Sequence, residues 1–262
     1  MLVPRILVTN DDGVDAPTLG PLLDALSRWA ELYVAVPSQE RSWIGKAITR
    51  FAVVDVERTQ RNGLPWAVVQ GSPADCVNLA VHSLGWPRPD LVVAGINLGL
   101  NFGSAFLLSS GTVGAVFEGW IAAIPSVAFS MAIPHDAYGV QGEARNARIG
   151  NYAPRVAAVA SEITRLLWEE GFPPSVDAFS VNMPAEAGPE TPRRVTSVTR
   201  TRYGPLFVEE RKNGFRHRFS YLQPLEDGGD VALVSRGVIA ITPLRLDFSA
   251  RLPETLRARL ER

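Results

Sequence analysis

Between residues 5 and 131 the chain alternates between two periodicities. Ile6 to Thr9 is an apolar run of strand length, and Thr18 to Trp29 places Leu19, Leu22, Leu23 and Leu26 on one helical face. Leu32 to Val36 is a second apolar run, stopped by Pro37. A strand-like region ending at Trp66 to Gln70 leads into Gly71-Ser72-Pro73, where serine suits an N-cap and proline the first helical position, so a helix is expected through about Leu84. Asp90 to Ala94 predicts a strand, Thr112 to Ala123 a helix and Ser126 to Met131 a further strand. Strands and helices in strict alternation predict an α/β fold of three layers, a parallel sheet with helices on both faces.

That architecture directs attention to one edge. Parallel sheets of this kind bind ligands outside the carboxyl ends of their strands. The polar, glycine-bearing segments 10–17, 38–50 and 95–112 each follow an apolar strand, so all three are expected on that edge. Beyond residue 135 the pattern changes. Pro154 to Glu170 predicts a long amphipathic helix, and Ala178 to Met183 another strand of the sheet. Residues 190–235 carry short strand-like runs joined at Asn213-Gly214 and Gly228-Gly229, which predict hairpins. Val238 to Thr242 and a helix from Pro253 close the chain. The expected division is a core over 1–190, a hairpin-rich oligomerisation arm over 191–236, and a return strand with a C-terminal helix over 237–262.

Composition removes several function classes. Among 262 residues the formal net charge is −1, so no bulk field favours a nucleic-acid polymer or an anionic membrane. The single cysteine, Cys76, excludes an internal disulfide framework and supplies no zinc spacing. The most apolar stretch, 102–134, is interrupted by Glu118 and several glycines, unlike a membrane span, and no charged-then-apolar leader opens the sequence. The expected location is cytoplasmic.

The chemistry lies in the three loops. Asn10-Asp11-Asp12-Gly13 puts two carboxylates side by side, and glycine lets the chain turn so that both reach one target. Close carboxylates raise one another's pKa unless a cation neutralises them, and hard oxygen ligands select Mg²⁺, Mn²⁺ or Ca²⁺ rather than zinc. The alternative is an Asx turn capping the following helix, helped by Asp15 or Thr18. The second loop offers Ser38, Arg41, Ser42, Gly45, Lys46 and Thr49, a set that suits a phosphate or a plain solvated loop. In the third, Asn97 and Asn101 frame Gly99, and Ser109-Ser110-Gly111-Thr112 leads into a helix whose N-terminal N–H groups can receive an anion; a simple N-cap is the other reading. Neither G-x-x-x-x-G-K-[ST] nor G-x-G-x-x-G is present.

Taken together, NDDG, ERS-x₂-G-x₃-T, GSPADCV (71–77), GIN-x-G-x-N-x-G, SGTV-x-A-x-x-EG and ITPLRLD (241–247) resemble, in order, the motifs of the SurE family of 5′/3′-nucleotidases. The resemblance implies a Rossmann-like core with a C-terminal β-hairpin arm exchanged within a homodimer or a dimer of dimers. It implies a metal-dependent phosphomonoester hydrolase whose small-molecule substrate is a nucleoside monophosphate. By position it implies one divalent ion, Mg²⁺ or Mn²⁺ with Ca²⁺ as a crystal occupant, held by Asp11, Asp12, Ser42 and Asn97. Asp11 and Asp12 are then the catalytic pair, and Asn10, Asn101, Ser110, Gly111 and Thr112 line the phosphate site. Strand–Asp-x-Asp phosphatases use an aspartyl nucleophile; here Asn10 stands two residues before Asp12 and cannot serve.

Two stretches depart from the family pattern: the apolar insert SAFLLS over 104–109, and the bulky Trp43 in the second loop. Trp43 is expected at the site mouth, stacking on a base or covering the metal, or else folded onto the body. A second function therefore stands beside the hydrolase, a nucleotide- or phosphate-binding protein without turnover. His82, His135 and His217 are expected at the surface or in packing, Cys76 as a small buried hydrophobe, and Arg200, Arg202, Arg211, Arg216 and Arg218 as solvation of exposed hairpins, a phosphate-facing role being the other reading.

Overall fold

The computed structural model describes residues 2–261. Its first half runs β1 (Arg5–Thr9), α1 (Leu19–Leu26), β2 (Glu31–Pro37), β3 (Val56–Arg61), β4 (Leu64–Val69), α2 (Pro73–His82), β5 (Leu91–Leu98), α3 (Gly103–Ser109), α4 (Gly111–Ile121) and β6 (Ser126–Met131). Its second half runs α5 (Gly142–Glu170), β7 (Ala178–Met183), β8 (Arg193–Val195), β9 (Thr201–Arg202), β10 (Phe207–Arg211), β11 (Gly214–His217), β12 (Gln223–Pro224), α6 (Gly229–Ser235), β13 (Ile239–Leu244) and α7 (Glu254–Leu260).

Nine strands form one sheet in the order β3-β4-β2-β1-β5-β6-β7-β13-β8, and β4, β2, β1, β5, β6 and β7 run parallel. β3 is antiparallel to β4 and β13 to β7, while β8 lies parallel to β13. The chain moves from β1 to β2 on one side and later enters β5 on the other. Strand order therefore reverses between β1 and β5, the crevice in which such sheets bind ligands.

Period-two alternation in the strands explains how both faces are covered. Ile6 and Val8 join a core with Leu22, Leu26, Val156 and Ile163 of α1 and α5. Leu7, pointing the other way, joins Cys76, Val77, Val113 and Val116 of α2 and α4. Ile6, Leu7 and Val8 are each 0% exposed, which places β1 in the middle of the sheet and the acidic loop after it at the carboxyl edge. None of the helices among the described residues is long and apolar enough to cross a membrane.

Three local expectations change. The 95–112 segment is not one loop: β5 continues to Leu98, and residues 103–109 form α3. Opposite β6 the register of β5 shifts between Ala94 and Asn97, just before the third-loop asparagine. α5 begins at Gly142 rather than Pro154, because the buried face Val156, Ala160 and Ile163 extends back through Ala153 to Ile149 with the same spacing. Finally, Gly228-Gly229 starts α6 rather than turning a hairpin, whereas the Asn213-Gly214 hairpin forms as β10–β11, with Asn213 at φ +59°.

Candidate active site

The acidic loop is built to hold both carboxylates still. Asn10 closes the turn, donating from Nδ2 to the Gly13 carbonyl at 2.9 Å and accepting the Gly13 N–H at 3.2 Å. Its side chain is thus occupied by the turn. Gly13 sits at φ +92°, and a Cβ there would lie 3.0 Å from the Gln39 carbonyl carbon, so only glycine lets the first loop pass this close to the second.

Asp11 is buried, and Asp12 is partly accessible. The Thr112 backbone N–H donates to Asp11 Oδ2 at 3.1 Å, and the Thr112 hydroxyl donates to Oδ1. Leu98 donates its N–H to Asp12 Oδ2 at 3.1 Å across the β1–β5 crevice. Burial pushes the Asp11 carboxyl up to about 6, against the lowering effect of the Thr112 hydrogen bonds. Burial, then the neighbouring Asp11 charge, pushes Asp12 well above the usual carboxylate range. Neither carboxylate is in an ion pair among the described residues.

The start of α4 is therefore used differently from a bare anion site. Thr112 gives its N–H to Asp11, Val113 donates to Ser110 Oγ at 3.1 Å, and Gly114 to the Ser110 carbonyl at 3.0 Å. The helix terminus supports the chain's own carboxylate, as its dipole favours. Ser110 as N-cap keeps its hydroxyl hydrogen for the cavity it lines. A Cβ on Gly111 would lie 2.9 Å from Asp11 Cβ and 3.0 Å from the Arg41 carbonyl, so its hydrogen permits that contact.

The second loop is tied down by residues far away in sequence. Arg41 donates its N–H to the Asp11 carbonyl at 2.7 Å, and Gly45 its N–H to the Ser109 carbonyl at 2.8 Å. Asp75 accepts from Thr49 N–H at 3.0 Å and Thr49 Oγ1 at 2.6 Å while it completes the capping box with Ser72. Lys46 pairs with buried Glu118 at 2.6 Å, and Asn78 donates to the other Glu118 oxygen at 2.8 Å. Lys46 is thereby committed to α4 and not to a phosphate. Ser42 donates to Glu40 at 2.5 Å.

From the third loop, Asn97 donates through Nδ2 to the Gly99 carbonyl at 2.6 Å, which leaves its Oδ1 as an oxygen donor. Asn101 is buried, donating to Ser130 Oγ at 2.9 Å while its N–H reaches Asn182 Oδ1 at 2.8 Å. Asp11, Ser42, Asn97, Asn101 and Ser110 share one cavity of about 700 Å³. A smaller hollow of about 360 Å³, between α1 and the β3–β4 turn, contains none of them.

No cluster of three His, Cys, Asp or Glu exists among the described residues, so a cation here would draw on two carboxylates and neutral oxygens. The donors fit a hard divalent ion: Asp11 and Asp12 offer carboxylate oxygens that no ion pair claims and whose charged form a cation would favour, and Ser42 and Asn97 add neutral oxygen. Two further charged residues act on the pair. The Glu40 charge raises both aspartates, and the Arg145 charge, from the polar start of α5, lowers Asp12. Glu40 sits in the ERS motif, whereas nothing in sequence marks Arg145.

Trp43 lines the cavity, and the apolar insert is α3, whose Leu107 is buried. His82 and His135 are exposed and Cys76 is buried. His217 is exposed yet its ring lies 4.8 Å from that of Trp43, so the β10–β11 hairpin reaches the cavity rim. Of the hairpin arginines, Arg216 pairs with Glu210 and Arg202 with Gln223, both at the surface.

Comparison with known proteins identifies the family. The family model described as Survival protein SurE matches residues 6–205. The "5'-nucleotidase SurE" of Deinococcus radiodurans is 39% identical over 259 residues, covering 95% of this chain and 89% of that protein. The "5'-nucleotidase SurE 1" of Thermus thermophilus is 38% identical over 255 residues, 94% and 93% of the two chains. The crystal structure of the SurE protein from Aquifex aeolicus superposes with a TM-score of 0.76 at 27% identity, covering 99% of this chain and all of that one. An acidic pair at the strand-order reversal, three loops converging on it and a family match across most of the chain lead to one assignment: this protein belongs to the SurE family.

Proposed function

We propose that the protein is a divalent-metal-dependent phosphomonoester hydrolase acting on nucleoside monophosphates. The observation that carries this reading is the pair Asp11 and Asp12, without a cationic partner, at the β1–β5 crevice beside Ser42 and Asn97. The names of the SurE relatives support the substrate class.

Asp11, Asp12, Ser42 and Asn97 would hold one divalent ion, Mg²⁺ or Mn²⁺. Bound there, the ion supplies Lewis-acid polarisation of a phosphoryl oxygen. The chain's own groups do the rest. Thr112 fixes the Asp11 carboxylate in one orientation through two hydrogen bonds. The Leu98 N–H ties one Asp12 oxygen to β5 with a single hydrogen bond. The Ser110 hydroxyl and the Asn101 amide hydrogen not given to Ser130, both residues being on the cavity wall, would donate to phosphate oxygens. Asn10 contributes by locking the turn rather than by touching substrate. Residues 191–236 supply an arm through which two copies pair; Phe207, Phe215 and Tyr221 on it are 61%, 63% and 84% exposed, an apolar surface suited to a second copy.

The test is phosphate release from a nucleoside monophosphate panel with Mg²⁺ or Mn²⁺, before and after chelation. Release should need the ion, and Asp12→Asn should lower kcat by at least ~10³-fold. No metal-stimulated release, with the variant indistinguishable from the parent, refutes the hydrolase. Nucleotide binding without release would instead identify a binding protein.

A further inference from the structure

Away from the carboxylates the cavity becomes aromatic. Trp43, Phe102, Phe106, Phe219 and Tyr221 form that part of its wall. Phe106 is the hub: its ring centroid lies 5.6 Å from Trp43, edge-on at 80°, 6.4 Å from Phe102, stacked at 19°, and 5.9 Å from Phe219. Asp11 is the one charged residue on the wall among the described residues; no Lys or Arg faces the cavity.

Trp43 immediately follows Ser42 and sits at φ +61°, a left-handed conformation unfavourable for a bulky L-residue. It is kept there by Phe106, Tyr203 and His217, whose rings surround the indole. A strained residue over-determined by its neighbours, next to a predicted metal ligand, marks a position where the ring itself has work to do. Aromatic faces recognise flat rings by stacking, largely without regard to ring identity. A second phosphate entering the same space would meet rings and no cation, and would lose water without compensation.

We propose that Trp43 and Phe106, with Phe219 from the arm, form an aromatic subsite for the leaving group, so that the protein selects monoesters of ring-bearing alcohols over polyol phosphates and polyphosphates. The subsite rests on the hydrolase reading above for its use, but its existence is testable without turnover. The apolar insert over 104–109 contributes its hub, Phe106.

Adenosine 5′-monophosphate, 1-naphthyl phosphate, glycerol 1-phosphate and tripolyphosphate are compared under saturating Mn²⁺. The two aromatic esters should exceed the other two in kcat/KM by more than ~10-fold, mostly through KM. Phe106→Ala, Phe106→Leu and Trp43→Gly should bring that ratio to within about threefold of unity. In parallel, adenosine is titrated into metal-free protein and followed by tryptophan fluorescence. The parent should bind it, and Phe106→Leu, which keeps apolar volume without a π-face, should bind at least ~10-fold more weakly. Melting curves identify any variant that fails to fold. Equal turnover of all four compounds, preference for tripolyphosphate, or a metal-free parent that does not bind adenosine overturns the subsite. Adenosine binding that depends on Phe106 without hydrolysis of any ester upholds the subsite and refutes the hydrolase.

Discussion

Gly114, in the first turns of α4, separates stability from function in a way the geometry can forecast. Alanine in a helix interior ordinarily gains about 1 kcal/mol over glycine. At Gly114, however, a Cβ would run into the Gly45 carbonyl oxygen and lie 2.7 Å from its carbon and 2.9 Å from Lys46 Cα, all backbone atoms of the second loop. Overpacking of this kind costs about 3 kcal/mol when the obstacle cannot rotate away. The net expectation for Gly114→Ala is a loss of about 2 kcal/mol, or roughly 4–8 °C in Tm for a chain of this size. Restoring ordinary contact with the Gly45 carbonyl oxygen, the nearest atom, moves the second loop by about 1 Å, and with it Ser42. Displacements of that order cost about 10–100-fold in rate at a positioned site. Gly150→Ala is the matched control: within α5, nothing lies within 4 Å of its Cβ position. It should gain about 1 kcal/mol and leave activity at the parental level. Thermal unfolding followed by circular dichroism, with metal-dependent phosphate release, reads both. If Gly114→Ala melts as high as Gly150→Ala and keeps full activity, close approach of α4 to the second loop does not set the site.

Other outcomes follow from the same contacts. The raised Asp11 carboxyl means that the folded protein holds a proton between pH 3.8 and about 6 that the unfolded chain has released. Its contribution is full below about pH 4 and is lost as pH rises through 6, about 3 kcal/mol in all. Metal-free parent should therefore lose stability relative to Asp11→Asn between pH 4 and 7, and Mg²⁺ or Mn²⁺ should raise Tm more at pH 7 than at pH 5; parallel pH profiles for parent and variant would contradict this. Lys46→Met leaves Glu118, 4% exposed, with only the Asn78 amide. Urea unfolding should show a loss of about 3 kcal/mol, and Lys46→Met with Glu118→Gln should recover much of it. A full loss in the double variant would mean that the ion pair is not what anchors the second loop.

The parallel sheet and its functional edge were legible because β1, β2 and β5 are apolar on both faces and each stops at a polar turn. That signal is local, and it put the three loops on one edge without knowledge of any contact; Asp11, Ser42 and Asn97 line the cavity there, and Asp12 meets β5 beside it through the Leu98 N–H. What was not legible depended on partners distant in sequence. The insert over 104–109 has no amphipathic period of its own, since α3 is short and packs against β9 on one side and α4 on the other. Pro154 has the look of a helix start, and only the buried Ile149 and Ala153 before it extend the apolar face. The anchoring of the second loop by Asp75 and Glu118 joins residues 26 to 72 positions apart, and the action of Arg145 on Asp12 spans more than half the chain.

One buried carboxylate in α6 has a consequence for how such proteins diverge. Asp230, 1% exposed, accepts the Gly103 N–H at 3.0 Å on one oxygen and the Thr199 N–H at 2.9 Å on the other. It therefore bolts the start of α3 to the root of the arm. Through Asp230 the helix that shapes the aromatic wall and the segment that would reach a second copy share one foundation. A descendant that alters its arm to change assembly would tilt that helix as well. Selectivity and quaternary structure would then be inherited as a linked pair, and a swap of arms between relatives would transplant substrate range together with the mode of association.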